Sequence, residues 1–315
     1  MTAPRPILFD TDIGSDVDDA LALGLILASP QAIDLVAVTT VGREGPIRAR
    51  VAAGLLGLSG RRDVEVCIGE QRPLLRPVDS FNWFGHEERC VVESAAARIG
   101  SETAAERIVR AAREVPGLEV VAVGPMTNLA RALALDPELP HRLGGITLMG
   151  GHVREARIGE LLCRPGIDYN LCSDPEAAVA VLGCGCSITL VTADVTLSTW
   201  LREADLACLE SGGPVGRALA EQVRIWAPVQ REIFTRLGGT LDEDNVAFLH
   251  DPLTVLALID EATLHFESLR ILSTVEGGVL RTHEVGSALG AEMRVATAVD
   301  AGSAERAIVE RLARL

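Results

Sequence analysis

Lysine is absent from this 315-residue chain, in which all 29 basic side chains are arginine. Without an ε-amine there is no Schiff-base nucleophile, no phosphate-loop lysine and no kinase-type ion pair, so the enzyme classes that depend on them are excluded. Basic charge is in deficit as a whole: the formal charge is −15 and the pI about 4.9. A nucleic-acid or anionic-membrane surface would have to be built against that field, so the expected partner is a small molecule. No apolar run approaches the roughly 20 residues that span a bilayer. The opening Met1-Thr2-Ala3-Pro4-Arg5-Pro6 lacks the apolar stretch of a secretory signal, and the expectation is a cytoplasmic protein. Cysteine is present but unpatterned. The seven are odd in number and scattered, and the one close pair, Cys184-Gly185-Cys186, is too tightly spaced for a metal or redox unit, so reduced thiols are expected.

What the chain does have is apolar content, 48%, enough to bury a large core. Short β-type runs at Ile7–Asp10, Asp34–Thr40, Val64–Ile68, Glu119–Val123, Gly145–Met149 and Ser187–Ala193 are apolar on consecutive positions, as strands buried on both faces are. Ala- and Leu-rich helical runs lie between them at Asp18–Leu27, Ile47–Leu58, Ala104–Val115, Asn128–Leu135 and Pro175–Leu182. The alternation predicts an open, mostly parallel, Rossmann-like α/β sheet flanked by helices. From about Trp200 the pattern turns to helices (Glu203–Leu209, Val215–Leu237, Leu253–Ile259), then strands (Phe266–Val275, Val279–Thr282, Met293–Val299) and a closing helix, Ala304–Leu315: a helical and β C-terminal extension. With no linker-like tract or repeat, residues 1–315 read as one domain.

Five aspartates fall within the ten residues Asp10-Thr11-Asp12-Ile13-Gly14-Ser15-Asp16-Val17-Asp18-Asp19, with no cation between Arg5 and Arg43. So many carboxylates on one turn repel one another unless protons or a metal ion offset them, and oxygen-only ligation selects Ca²⁺ or Mg²⁺. Asp18 and Asp19 are also ordinary helix-start residues, but that role does not account for Asp10, Asp12 and Asp16, which precede the helix. Three further segments lie where open α/β sheets collect ligands: Gly124-Pro125-Met126-Thr127-Asn128, Asp168-Tyr169-Asn170 and His250-Asp251-Pro252. Each also reads as a helix entry.

Together with Met149-Gly150-Gly151 and Asp174-Pro175-Glu176-Ala177-Ala178, and in this order, these motifs resemble the nucleoside hydrolases of the inosine–uridine-preferring type. The resemblance implies a Ca²⁺ held by Asp12, Asp19, Asp251 and the carbonyl of Thr127, with the ribose 2′- and 3′-hydroxyls completing the shell. It implies hydrolysis of a ribonucleoside to base and ribose through an oxocarbenium-like species, with Asp18 as the general base toward water activated by the metal. Counted from the left of the motif, Asp16 takes the base position instead. Asp18 is preferred because the pair preceding Ala20 starts a helix, which holds geometry better than a loop. His250 is expected to protonate or hydrogen-bond the departing base, Asn170 to bond a ribose hydroxyl, and Asp168 to reach the 5′-hydroxyl with a side chain one methylene shorter than the family's usual glutamate. A homodimer or homotetramer is also implied.

Arg43 stands where the family often has an asparagine. It is placed to pair with Glu44 or the acidic loop, or to meet an anionic or modified 5′ group. The aromatic-rich stretch Ser80–Glu88 is either a surface loop packed on its own rings or a lid in which Trp83 or His86 covers the substrate, and Trp226 and Phe234 are core or base-pocket residues. Two other functions fit less of the pattern: a ribose- or nucleoside-binding protein that has lost turnover, and a Mg²⁺-dependent phosphatase of the haloacid dehalogenase type with Asp10 as nucleophile and Asp12 as second acid.

Overall fold

The computed structural model describes residues 3–93, 96–166, 168–286 and 289–315. In chain order its elements are β1 (Arg5–Thr11), α1 (Asp18–Leu27), β2 (Ile33–Thr40), α2 (Gly45–Leu58), β3 (Glu65–Ile68), α3 (Ala104–Glu114), β4 (Glu119–Ala122), α4 (Thr127–Leu135), α5 (Leu139–Arg142), β5 (Gly145–Met149), β6 (Ala156–Ile158) and β7 (Leu161–Cys163). There follow α6 (Tyr169–Ser173), α7 (Pro175–Leu182), β8 (Ile188–Val191), α8 (Ala193–Thr196), β9 (Trp200–Arg202), α9 (Leu206–Ser211), α10 (Pro214–Arg236), β10 (Asn245–Phe248), α11 (His250–Ile259), β11 (Leu264–Glu276), β12 (Val279–Glu284), β13 (Ala291–Val299) and α12 (Ala301–Leu312).

Nine strands form one sheet in the order β12-β11-β13-β8-β5-β4-β1-β2-β3. From β3 to β8 every pairing is parallel, as the alternating pattern predicts. The expected C-terminal extension is not an appendage. β13 adds parallel to β8, and β11 pairs antiparallel with both β13 and β12, so those strands complete the main sheet. The β11–β12 turn is Gly277-Gly278, both at positive φ (59° and 86°), the conformation that suits a two-residue hairpin between Glu276 and Val279. The small β6–β7 and β9–β10 sheets were not foreseen, because three- and four-residue strands show no measurable period.

Sheet order reverses at β1, whose neighbours are β4 on one side and β2 on the other. Asp10 lies level with Ala122 of β4 and Thr39 of β2, so the loops after β1, β2 and β4 leave the sheet together at the crevice where such sheets take ligands. The buried helix α1 packs on α10, α11 and α12. A Cβ on Gly24 would come 2.7 Å from Leu219 and 3.0 Å from Leu312, so glycine is what lets α10 and α12 approach this closely. That packing also sets α11 alongside α1, with an acid in the first turn of each helix.

Candidate active site: a buried carboxylate cluster

The first turns of α1 and α11 bring Asp18, Asp19 and Asp251 together, with a carboxylate oxygen of each within 4.8 Å of the others. All three are buried, 2–4% exposed, at positions 232 residues apart in the chain from Asp19 to Asp251. Aligned peptide dipoles at two helix N-termini favour negative charge there, but by far less than burial and mutual repulsion oppose it. The acids are accordingly pushed well above the usual carboxylate range, first by burial and then by one another: Asp18 by Asp16 and Asp12, Asp19 by Asp12 and Asp18, Asp251 by Asp18 and Asp19.

Asp12 borders the trio. Burial raises its pKa to about 6, and the Arg48 guanidinium pulls the other way. It sits against the loop after β4, where a Cβ on Gly124 would fall 2.7 Å from Asp12 Oδ1 and 2.9 Å from its amide nitrogen. Gly124→Ala is therefore expected to displace Asp12 and weaken divalent-cation binding by about tenfold or more, as calorimetric titration would register. Thr127 opens α4 just beyond, fully buried, its hydroxyl donating to Asp174 Oδ2 at 2.8 Å.

Asp16 turns back on the chain. Its Oδ1 accepts from the amides of Val17 at 2.6 Å and Asp18 at 3.4 Å, and burial followed by repulsion from Asp19 raises it to about 7. Asp10 lies beneath the cluster, fully buried, accepting from Thr39 Oγ1 at 2.5 Å and Asn128 Nδ2 at 2.7 Å. Burial lifts it to about 7, and its Oδ2 has no partner, which suits a protonated carboxyl. A nucleophile must reach its substrate, so the phosphatase reading, which needs Asp10 exposed, is ruled out here. Asn128 is more than a helix-start residue: its Nδ2 also donates to the Thr40 carbonyl and its Oδ1 accepts from the Glu70 amide, tying β1, β2 and the segment after β3 to α4.

On the far side, Asn170 spends its amide protons on the carbonyls of Val123 at 2.8 Å and Met149 at 3.1 Å, which leaves its Oδ1 to accept. Asp168 caps α6 by accepting from the Leu171 amide at 2.9 Å, and burial raises it to about 6. His250, at the start of α11, stacks on Phe248 and shares a 2.6 Å hydrogen bond between Nδ1 and Thr196 Oγ1, so Nε2 is the ring nitrogen left for other work. Burial lowers its pKa to about 4, which makes it a neutral donor near pH 7 and not an imidazolium acid. Thr196→Val should unfix the ring and cost kcat about tenfold with little change in KM, a split that steady-state kinetics would resolve.

Arg43 pairs with Asp79 at 3.3 Å, not with Glu44 or the aspartate loop as the sequence suggested, because the Val78–Ser80 turn carries an acid past the end of β2. The aromatic stretch is held down, not free. Glu87 accepts from the amides of Phe84 and Gly85, both at 2.6 Å, and from Ser15 Oγ at 3.1 Å, while His86 Nε2 meets the Ser15 carbonyl at 2.9 Å. Phe84, His86 and Trp226 of α10 form a ring cluster with centroids 5.6–5.9 Å apart. Within it, His86 Nδ1 and Trp226 Nε1 are buried without partners. Trp83 lies 5.9 Å from the Arg48 guanidinium. Phe234 packs instead on Phe248, 4.9 Å between centroids, away from this cluster.

Sequence reasoning did not single out Arg48, Ser15, Glu87, Tyr169 or Thr196. For Arg48 a partial signal existed, an arginine in an Ala- and Leu-rich helical run that it shares with Arg50; for Thr196 none did.

The donor set fits a hard divalent cation: the three clustered groups are carboxylates, buried among one another with no cationic side chain paired to them among the described residues. Among the described residues no helix is long and apolar enough to cross a membrane.

A family model described as inosine-uridine preferring nucleoside hydrolase matches residues 7–306. The pyrimidine-specific ribonucleoside hydrolase RihA of Citrobacter koseri is 31% identical over 261 residues, covering 81% of this chain and 79% of that one. The probable uridine nucleosidase 2 of Arabidopsis thaliana is 28% identical over 340 residues, covering 98% and 97%. Among solved structures, the purine-preferring ribonucleoside hydrolase from Gardnerella vaginalis superposes with a TM-score of 0.82 at 26% identity, covering 98% of both chains.

Proposed function

Since the chain belongs to the inosine–uridine-preferring nucleoside hydrolase family, and is thereby an N-glycosidase acting on ribonucleosides, we propose that it does so with Ca²⁺ bound at the meeting of α1 and α11. One observation carries the reading: acids from the two ends of the chain meet in a buried trio with which, among the described residues, no cationic side chain is paired. Asp12, Asp19, Asp251 and the Thr127 carbonyl would hold the ion. When bound it supplies positive charge that acidifies a nearby water and orients the vicinal hydroxyls of the sugar.

The chain's own groups do the rest. Asp18 takes the proton from the attacking water, a role that its closeness to Asp19 and Asp251 supports. The surrounding carboxylates give the negative potential that favours positive charge developing on the ribosyl ring. Asn170 Oδ1 accepts from a sugar hydroxyl, and the Asp168 oxygen not used in capping α6 reaches toward the 5′-hydroxyl. His250 Nε2, on a ring held by Thr196, donates to the departing base as a neutral imidazole. His86, with Phe84 and Trp226, forms the wall against the base, and Trp83 lies at its rim. Asp16 supports substrate binding by fixing the entry to α1.

The named relatives differ in base, being pyrimidine-specific, uridine-directed and purine-preferring. Incubating the Ca²⁺-loaded enzyme with purine, pyrimidine and 5′-substituted ribonucleosides, with released reducing sugar as readout, tests activity and preference together. Binding without any sugar released would favour the silent nucleoside-binding reading. A 5′-phosphate belongs in the panel, because the Arg43–Asp79 pair is solvent-exposed on the Asp79 side and such pairs are worth about 0–1 kcal/mol. Arg43 can therefore exchange its partner for an anionic 5′ group, and Arg43→Ala should then lose that preference alone. The absence of disulfides among the seven cysteines supports a cytoplasmic setting. A homodimer or homotetramer is the proposed assembly, which light scattering on the purified protein tests.

A further inference from the structure

Among the described residues Arg48 is the largest fully buried side chain, at 0% exposure, and its five N–H donors each meet an acceptor. Nε donates to the Arg43 carbonyl at 2.8 Å. One terminal nitrogen donates to the carbonyls of Asp12 and Ile13, the latter at 3.1 Å, and the other to Ser15 Oγ at 3.0 Å and the Asn82 carbonyl at 3.2 Å. None of these partners is a carboxylate. A buried guanidinium is normally matched to an acid in direct contact, which offsets its desolvation. This one instead organises backbone, and the segments it joins are the aspartate loop, the turn after β2 and the aromatic loop. The room for it is built in: a Cβ on Gly42 would come 3.0 Å from Nε.

The second anchors of the aromatic loop converge on the same atoms. Ser15 Oγ, which accepts from Arg48, donates on to Glu87, and Asn82, whose carbonyl accepts from Arg48, donates its backbone N–H to the Tyr169 hydroxyl at 2.8 Å. The guanidinium thus joins the loop carrying Asp12, Asp16, Asp18 and Asp19 to the loop carrying Trp83, Phe84 and His86, beside the direct bonds of Ser15 to Glu87 and His86. We propose that Arg48 is a positioning residue that makes these two loops a single unit, so that the cation site and the ring wall facing the base take shape together. The proposal rests on the reading of the acid cluster as a cation site of a nucleoside hydrolase, and it concerns a residue that touches neither ion nor substrate. Lysine does not replace it, since three donors on a flexible stem leave carbonyls of the five unpaired.

Hydrogen exchange on the full-length protein, with and without Ca²⁺ and no substrate, tests this. In the unaltered protein Ca²⁺ should slow amide exchange both at Ile13–Asp19 and at Asn82–Cys90. In Arg48→Lys, checked for intact fold by circular dichroism, both stretches should exchange about tenfold faster, and the response of Asn82–Cys90 to Ca²⁺ should vanish. Activity should fall about 100-fold, in kcat more than in KM. Guanidinium added to Arg48→Ala should restore part of the protection at both loops, and an ammonium salt at equal concentration should not. Protection by Ca²⁺ confined to Ile13–Asp19 in the unaltered protein overturns the proposal without recourse to any variant, as does an Arg48→Lys protein with unchanged exchange. Loops that respond together in a protein releasing no sugar would leave the positioning role standing and sink the enzymatic reading; cleavage with independent loops would do the reverse.

Discussion

Asp18→Asn should lower kcat by about 10³-fold while leaving Ca²⁺ affinity within about a factor of ten, and Asp251→Asn should abolish binding of the ion and activity alike. The contrast follows from what each carboxylate can do. Both are buried and within 4.8 Å of Asp19, so either is close enough to be a ligand. Asp251 arrives alone on α11, and replacing it leaves no other acid from that side of the site among the clustered groups. Asp18 is raised above the usual carboxylate range first by burial and then by its near neighbours Asp16 and Asp12, which strengthens its hold on a proton taken from water. An amide of the same shape keeps the hydrogen bond that Asp18 accepts from the Asp19 amide at 3.1 Å, so the start of α1 should survive the change. Calorimetric titration of both variants with Ca²⁺, beside their turnover, separates the roles. If Asp18→Asn loses the ion as completely as Asp251→Asn, Asp18 is a ligand, and the base must be sought in Asp16, the other candidate of the motif, whose charge also acts on Asp18 and Asp251.

Much of this was legible in the sequence, for identifiable reasons. The parallel strands were readable because burial on both faces leaves consecutive apolar residues, and Asp18–Leu27 and Pro175–Leu182 match their helices residue for residue because acids or proline mark their starts. The aspartate loop was readable because its charge has no local compensation. What was not legible depended on contacts between distant segments. Leu264–Glu276 reads as a strand from its own residues, but only the free edge of β8 and the docking of β13 make it part of the main sheet. Arg43 was expected to seek Glu44 or the aspartates. Glu44 instead adopts a left-handed backbone (φ 56°) at the entry to α2, and Arg43 finds Asp79, 36 residues on. The neutrality of His250 follows from burial, which a sequence pattern does not encode. Arg48 illustrates the limit: an arginine in an Ala- and Leu-rich run can be identified, but its five acceptors come from segments up to 36 residues away in either direction and exist only in the folded chain.

Removing divalent metal should do more than stop turnover: it should make the protein lose stability as pH rises, and Ca²⁺ should restore more at pH 8 than at pH 5. In the metal-free fold Asp12 is raised to about 6 and Asp10 and Asp16 to about 7, with Asp18, Asp19 and Asp251 also raised, all from the ordinary aspartate value of 3.8. Between the unfolded and folded values the native state therefore holds protons that the unfolded chain has released. Stability is greatest below about pH 4 on this account and declines as pH climbs through 6 and 7, at up to about 1.4 kcal/mol per group per unit, less where neighbouring acids share a proton. This is the opposite of the behaviour of salt-bridged carboxylates such as Asp136, held low by Arg113, whose contribution is lost toward acid pH. A divalent ion reverses the sign at the cluster, because it binds the ionised acids and must compete with protons for them at pH 5. At 100 times its dissociation constant it adds about 2.7 kcal/mol. Differential scanning calorimetry at pH 5 and pH 8, with EDTA or with Ca²⁺, measures both slopes. Equal melting temperatures with and without the ion at pH 8 would mean that the trio of Asp18, Asp19 and Asp251 stays protonated and binds no cation, and a larger gain at pH 5 would mean that the ion binds elsewhere.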